Sequence, residues 1–360
     1  MSDSSNAQTI GGYVDSARES GAVKIDTQEG EYYVVALQQR KTGVPAPFDG
    51  AEELLKPPLK RAAYSDRTAW LMAALSELAY TKFESQAEVR ADFTARLADA
   101  GLMLHSIYDE PNTGTQAFIA RRPDSFTVLA FRGTEKDRKD ILTDLNARFY
   151  NTPTGRAHQG FAMAYEGIRK DIVSDLRELQ QNDQLDRLFV TGHSLGGALA
   201  TVAACNLEKE FLVAACYTFG SPRVGTAEWS DAVKTPVYRI VNGADGVPLV
   251  PLSSLTRGIL LALPTIPLLG WLNKPVHSLL DKGYAGFQHA GDFRFVKGQA
   301  HAARLKIGSA AAWERVKHVV WGKFIGAFKR LSPKALSSSF SDHSISEYEA
   351  KLRKIAEDRN

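Results

Sequence analysis

Ser194 stands between Gly192 and Gly196 in the run Phe189-Val190-Thr191-Gly192-His193-Ser194-Leu195-Gly196-Gly197-Ala198-Leu199-Ala200. An apolar β-type run that ends in a glycine-flanked serine and continues as a small-residue helix has the form of a nucleophile on a strained turn. The glycines remove Cβ atoms that would clash where a strand reverses into a helix, and the turn is expected to leave Oγ exposed above the sheet. The Leu195 amide falls at the helix N-terminus, where N–H groups without helical partners and the helix dipole favour a developing oxyanion. A glycine-rich strand-to-helix turn without chemistry has the same local form, so the reading depends on partners elsewhere in the chain.

A serine hydroxyl is a poor nucleophile unless an imidazole takes its proton, and the imidazole needs a carboxylate to fix its tautomer. After the apolar run Val237–Val241 comes Asn242-Gly243-Ala244-Asp245-Gly246-Val247-Pro248, which places the Asp245 carboxylate on a glycine-rich loop just past a strand end. The bland role for Asp245 is to cap its own turn. Two histidines compete as the base: His289 in Gly286-Phe287-Gln288-His289-Ala290-Gly291, and His343 in Ser341-Asp342-His343-Ser344-Ile345-Ser346. His289 precedes a short strand over Phe293–Val296, and His343 precedes a helix bearing Ile345, Tyr348, Leu352 and Ile355. Local features do not choose between them, and at least one is an ordinary hydrogen-bonded loop histidine.

The elements that must position these groups follow from periodicity. Ser65 is an N-cap for a helix with Leu71, Leu75 and Leu78 on one face, and a second helix carries Val89, Phe93 and Leu97 before Gly101. Phe126–Phe131 is a continuous apolar strand, and a longer helix aligns Phe161, Tyr165, Ile168, Ile172, Leu176 and Leu179 on one stripe. Strands into Ser194, over Phe211–Phe219 and over Val237–Val241 complete an alternation of strands and helices. That alternation predicts a mainly parallel sheet covered on both faces, with its site at the carboxyl edge where Ser194 lies.

With 360 residues and 44% hydrophobic content the chain can bury a large core. We expect residues 1–60 to form an N-terminal arm without assigned chemistry, holding a strand near Tyr32–Leu37. Residues 61–360 are expected to form one catalytic domain with insertions near 252–285 and 300–340. A net charge of +3 without an aromatic-interleaved basic motif argues against nucleic acid. The histidines and the two cysteines lack metal-ligand spacing, and Cys205 and Cys216 read as small buried hydrophobes. The first eight residues have neither a basic nor an apolar leader region. They predict a cytoplasmic protein or one exported by a non-Sec route, with an extracellular protein also compatible if the chain is trimmed.

Taken together, Phe131-Arg132-Gly133-Thr134, His158-Gln159-Gly160-Phe161, the Gly192–Gly197 run, Phe219-Gly220-Ser221-Pro222-Arg223-Val224-Gly225, Val241–Pro248 and Asp342-His343-Ser344 resemble the class 3 lipases, the fungal-lipase-like branch of the α/β-hydrolases. The resemblance covers roughly residues 65 to 350, with the motifs in the family's order. It implies an α/β-hydrolase fold with Ser194 as nucleophile, Asp245 as acid and His343 as base. It makes His289 structural, places His158 and Arg223 as scaffold near the site, and maps the first oxyanion donor to Thr134 beside the Leu195 N–H. The implied reaction is hydrolysis of carboxylic esters of lipids, of the triacylglycerol type, through an acyl-enzyme and without a cofactor or metal. Phospholipids and short-chain esters are competing substrates, and a lipid-binding protein on a hydrolase fold is the non-enzymatic alternative.

The sequence departs from the family's pattern at the lid. The family's lid follows the oxyanion residue as an amphipathic helix, whereas here Glu135-Lys136-Asp137-Arg138-Lys139-Asp140 is a charge run, more typical of a solvated loop. The apolar cover is instead sought in Ile259–Leu272, where Leu261, Leu263, Leu268 and Leu269, together with His193, are the expected substrate contacts. A buried insertion is the plain alternative, and two prolines in that stretch rule out a bilayer-spanning helix. Trp313–Leu331 reads as a basic amphipathic helix suited either to packing on its own domain or to an anionic lipid surface. The oligomeric state is open.

Overall fold

The computed structural model describes residues 22–27, 30–35, 48, 50–58, 63–134, 148–243, 245–251, 286–308, 310–311, 314–315 and 342–359. In chain order the elements are β1 (Ala22–Thr27), β2 (Gly30–Val35), α1 (Asp66–Leu78), α2 (Ala87–Asp99), β3 (Met103–Glu110), β4 (Thr115–Arg122), β5 (Phe126–Phe131), β6 (Phe149–Thr152), β7 (Gly155–His158), α3 (Gln159–Gln181), β8 (Arg187–His193), α4 (Leu195–Leu207), β9 (Val213–Phe219), α5 (Ala227–Asp231), β10 (Val237–Asn242), β11 (Asp292–Lys297), β12 (Arg304–Ile307) and α6 (Ile345–Asp358).

The main sheet runs β12-β11-β10-β9-β8-β5-β4-β3. Its central strands β5, β8, β9, β10 and β11 are parallel neighbours, while β3 and β4 at one edge and β12 at the other pair antiparallel. Two short antiparallel pairs, β1–β2 and β6–β7, stand apart from it. Alternation along each central strand divides the core. Phe126, Val128 and Ala130 of β5 join α1, α2 and α6 on one face, whereas Leu129 and Phe131 join α3 and α4 on the other.

Each helix follows from its residues. Ser65 Oγ accepts from the Thr68 amide at 3.4 Å and caps α1. In α3 the buried set is the stripe read from periodicity, Phe161 through Leu179, and fully burying each such side chain stabilises by about 1.5–3 kcal/mol. Helix α4 is so rich in alanine and glycine that nearly its whole surface is buried, which lets it lie directly on the sheet behind Ser194.

The antiparallel pair β3–β4 goes beyond the mainly parallel sheet expected from the sequence. Its first strand carries His105, Ser106, Asp109 and Glu110 and has only Tyr108 fully buried, so no apolar run marks it. Phe48, Ala51 and Leu54, within the stretch expected to be an arm, lie in the core. Both cysteines are buried and free. The charged stretch Glu135–Asp140, the stretch Ile259–Leu272 with Leu261, Leu263, Leu268 and Leu269, and nearly all of Trp313–Leu331 lie outside the described residues.

Candidate active site

Ser194 is the N-cap of α4 and holds φ 57° and ψ −126°, a conformation rare for a residue with a side chain. The turn persists because its surroundings leave no alternative. A Cβ at Gly192 would overlap the Gly196 carbonyl, and one at Gly196 would overlap the Phe131 carbonyl at the end of β5. The Ser194 amide donates to the Phe219 carbonyl at 2.9 Å, tying the turn to the end of β9. Packing from these sides buries Ser194 to 1% exposure. The expectation of an exposed Oγ is therefore corrected: the β5 end, the Phe219 turn and the His343 loop enclose it.

The Nε2 of His343 lies 2.9 Å from Ser194 Oγ, and its Nδ1 lies 2.8 Å from Asp245 Oδ2. A carboxylate only accepts, so Nδ1 carries the proton and Nε2 is free to accept from the serine hydroxyl. His343 and Asp245 are 3% and 0% exposed, which shields the chain of bonds from competing water. Asp245 accepts further from the Tyr348 hydroxyl at 2.6 Å on Oδ2 and from the Val247 amide at 3.0 Å on Oδ1. Burial and the adjacent carboxylate push the Tyr348 hydroxyl well above its ordinary pKa, so it stays a donor.

Two glycines allow this convergence. Gly220 has φ +58°, and a Cβ there would lie 2.6 Å from Asp245 Oδ2 and 2.9 Å from His343 Nδ1. Gly243 has φ +42°, and a Cβ there would overlap the Asp342 carboxylate. Any larger residue at either point would hold the acid and base loops apart.

His289 meets none of these groups. Its Nε2 donates to the Pro248 carbonyl at 2.8 Å, and burial with the nearby Arg239 and Arg223 guanidiniums pushes its pKa well below the usual value. Arg223 binds the Leu249 and Pro251 carbonyls, so these two side chains brace the loop that follows Asp245. His158 is stacked on Phe161 at 4.1 Å, its ring nitrogens have no hydrogen-bond partner, and burial lowers its pKa to about 4. The expected role of His193 in substrate contact is corrected. Its Nε2 donates to the His343 carbonyl at 2.7 Å and its Nδ1 accepts from the Tyr80 hydroxyl at 2.8 Å. A ring engaged at both nitrogens inside the protein is a brace for the base loop.

Thr134 follows β5 by way of Arg132 and Gly133. The Arg132 guanidinium is buried, forks onto both oxygens of Glu84 at 2.7 Å, and donates to the Ala79 and Thr81 carbonyls after the end of α1. A Cβ at Gly133 would overlap the Tyr80 hydroxyl and approach the His193 carbonyl to 2.6 Å. The strand end carrying Thr134 is thus clamped beside the serine turn, next to the N-terminus of α4 where Leu195 begins the helix. Sequence reading assigns no role at the site to Tyr348, Arg132 or Tyr80. An arginine directly after a buried strand was the available hint for Arg132, and Tyr348 was legible only as one of an apolar stripe.

Chemically, the arrangement offers a hydroxyl aligned on an imidazole, a carboxylate holding the imidazole's tautomer, and helix-terminal amides beside the hydroxyl, which is the equipment for acyl transfer. A match to the class 3 lipase family covers residues 128–255, from β5 through the serine turn to the acid loop. Over those residues the chain carries the class 3 lipase pattern. It is 30% identical over 200 residues to a secreted mono- and diacylglycerol lipase of Penicillium camembertii, covering 49% of this chain and 65% of that relative. A secreted mono- and diacylglycerol lipase of Fusarium solani is 39% identical over 97 residues, 26% of this chain and 29% of the relative. The chain therefore spans less than two thirds of the length of these relatives. Among solved structures, the native Rhizomucor miehei lipase propeptide complex superimposes with a TM-score of 0.50 at 23% identity, over 69% of this chain and 74% of that chain. Lipase II from Rhizopus niveus gives 0.50 at 20% identity over 70% and 93%. At such identities the likeness is one of fold, the α/β-hydrolase fold. The secreted relatives overturn the expectation of a cytoplasmic protein, because the polarity of a few N-terminal residues bears on one export route only.

Proposed function

We propose that this protein acts as a class 3 lipase, hydrolysing carboxylic esters of glycerol lipids outside the cell with Ser194, His343 and Asp245 as its triad. The observation that carries the reading is the continuous path Ser194 Oγ to His343 Nε2 at 2.9 Å and His343 Nδ1 to Asp245 Oδ2 at 2.8 Å. In the reaction, Ser194 Oγ attacks the ester carbonyl as His343 Nε2 takes its proton, and Asp245 stabilises the imidazolium. The amides of Thr134 and Leu195 receive the oxyanion. His343 then protonates the leaving alcohol, and water, deprotonated by the same imidazole, releases the fatty acid from the acyl-serine. The relatives named as mono- and diacylglycerol lipases support acylglycerols as the substrate class, and a lipid surface is the place where such substrates are met.

The test compares wild type and Ser194→Ala on p-nitrophenyl esters of graded chain length, and on mono-, di- and triacylglycerol beside phospholipid. Ser194-dependent release with acylglycerol above phospholipid is expected. Absence of Ser194-dependent release from every ester overturns the reading, and faster release from phospholipid overturns the substrate class.

A further inference from the structure

Lys351 is the one lysine in the buried class among the described residues, at 4% exposure on α6. An ammonium is costly to take out of water and is retained only where its donors are used. Its Nζ donates to Asn242 Oδ1 at 2.8 Å, whereas the nearest carboxylates, Glu347 and Asp342, stand at 3.7 and 3.8 Å. The amide is therefore its hydrogen-bonded partner, with the carboxylates supplying only charge.

Asn242 is a junction. Its backbone N–H donates to the Tyr348 hydroxyl at 3.0 Å, its carbonyl accepts from the Asp245 amide at 3.0 Å, and its Nδ2 donates to the Asp342 carbonyl at 2.8 Å. That last carbonyl belongs to the peptide unit joining Asp342 to His343. An ammonium has three donors and no acceptor, so it forces the amide oxygen of Asn242 toward itself and turns the NH2 group onto Asp342. The peptide on the other side of His343 is held by His193, whose Nε2 donates to the His343 carbonyl at 2.7 Å. The two peptide planes flanking the His343 Cα are thus tied independently, one by the serine strand and one by Asn242 at the end of β10, whose amide Lys351 of α6 orients.

We propose that Lys351 is a positioning residue for the base: by orienting the Asn242 amide it fixes the peptide unit that aims His343 at Ser194. This rests on the reading of Ser194 and His343 as nucleophile and base, and places their alignment under the control of the C-terminal helix. Lys351 touches no reacting atom, so its loss acts on kcat through the geometry of proton transfer and leaves substrate binding nearly unchanged.

Three variants assayed on a soluble short-chain p-nitrophenyl ester test this, with Ser194→Ala as control. Lys351→Met keeps the length of the side chain and removes the donors. Asn242→Asp keeps an acceptor for the buried ammonium but cannot donate to the Asp342 carbonyl, so it preserves the fold while breaking the link to His343. Lys351→Arg restores a donor. We expect Lys351→Met and Asn242→Asp to lower kcat about tenfold or more with KM within about twofold, since small misplacements of a reacting group have effects of this order. Lys351→Arg is expected to recover most of the loss. Wild-type kcat in folded Lys351→Met or Asn242→Asp overturns the proposal, as does unfolding of both, which would make the link purely structural. Wild-type activity that survives Ser194→Ala, or no activity at all, counts against the esterase reading instead.

Discussion

Tyr348 donates its hydroxyl to Asp245 Oδ2 at 2.6 Å, on the same oxygen that accepts from His343 Nδ1 at 2.8 Å. Helix α6, which begins two residues after His343, thereby returns to brace the carboxylate on which His343 depends. Tyr348→Phe removes that bond and leaves the buried Asn242 N–H without its acceptor. The expected cost is about 1–3 kcal/mol of stability, read as a lower urea midpoint at unchanged slope, together with a fall in kcat. A Tyr348→Phe protein as stable and active as wild type would show that Val247 and His343 suffice to hold Asp245.

The two histidines that local sequence leaves level are separated by geometry. Folded Ser194→Ala and His343→Ala are each expected to lose nearly all ester hydrolysis, and the double variant should be little worse than either alone, because residues acting as a unit are non-additive. His289→Ala should lose mainly stability, since its bond to the Pro248 carbonyl braces the acid loop. Normal kcat in His343→Ala with a folded, inactive His289→Ala would reverse the assignment.

Glu349 accepts from the Trp70 indole N–H at 2.6 Å between α6 and α1, and burial raises its pKa from 4.5 to about 7. A carboxyl raised in the folded state contributes stability that is fully present below the unfolded value, and that contribution is lost as pH rises through the folded one. Glu349→Gln keeps an oxygen for Trp70 and removes the charge. It is expected to stabilise the protein by about 1–3 kcal/mol above neutral pH, with the gain vanishing toward the unfolded pKa. Thermal melts at both ends of that window read the difference, and a gain of equal size at both ends would mean that ionisation of Glu349 is not its source.

For the stretch Ile259–Leu272, outside the described residues, the expectation comes from composition. Response to a lipid surface needs apolar area that is costly to expose in water, at roughly 25 cal/mol per Å², and the charged stretch Glu135–Asp140 has none to offer. Replacing Leu261, Leu263, Leu268 and Leu269 with serine should cut the rate on emulsified long-chain ester steeply while the soluble short-chain rate survives. Equal loss on both, with a lower Tm, would identify these leucines as core.

Periodicity and glycine placement carried much of this protein in plain view. The stripes of α3 and α6, the turn around Ser194 and the loop of Asp245 are local patterns, since burial of one face must repeat every three to four residues in a helix and a sharp strand-to-helix turn must shed its Cβ atoms. The antiparallel edge strand β3 escaped because a half-exposed edge strand need not be apolar. Without the resemblance to a family, the choice of His343 over His289 was not local either: Asp245 lies 98 residues, and Ser194 149 residues, from His343 in the chain. Only the packing of α6 against the sheet, with Gly220 and Gly243 admitting the close approach, brings those loops together. The same holds for Tyr348 and Lys351. Their places on a helix face follow from spacing, but what a buried hydroxyl or ammonium meets depends on a partner about a hundred residues away, and that only the tertiary structure decides.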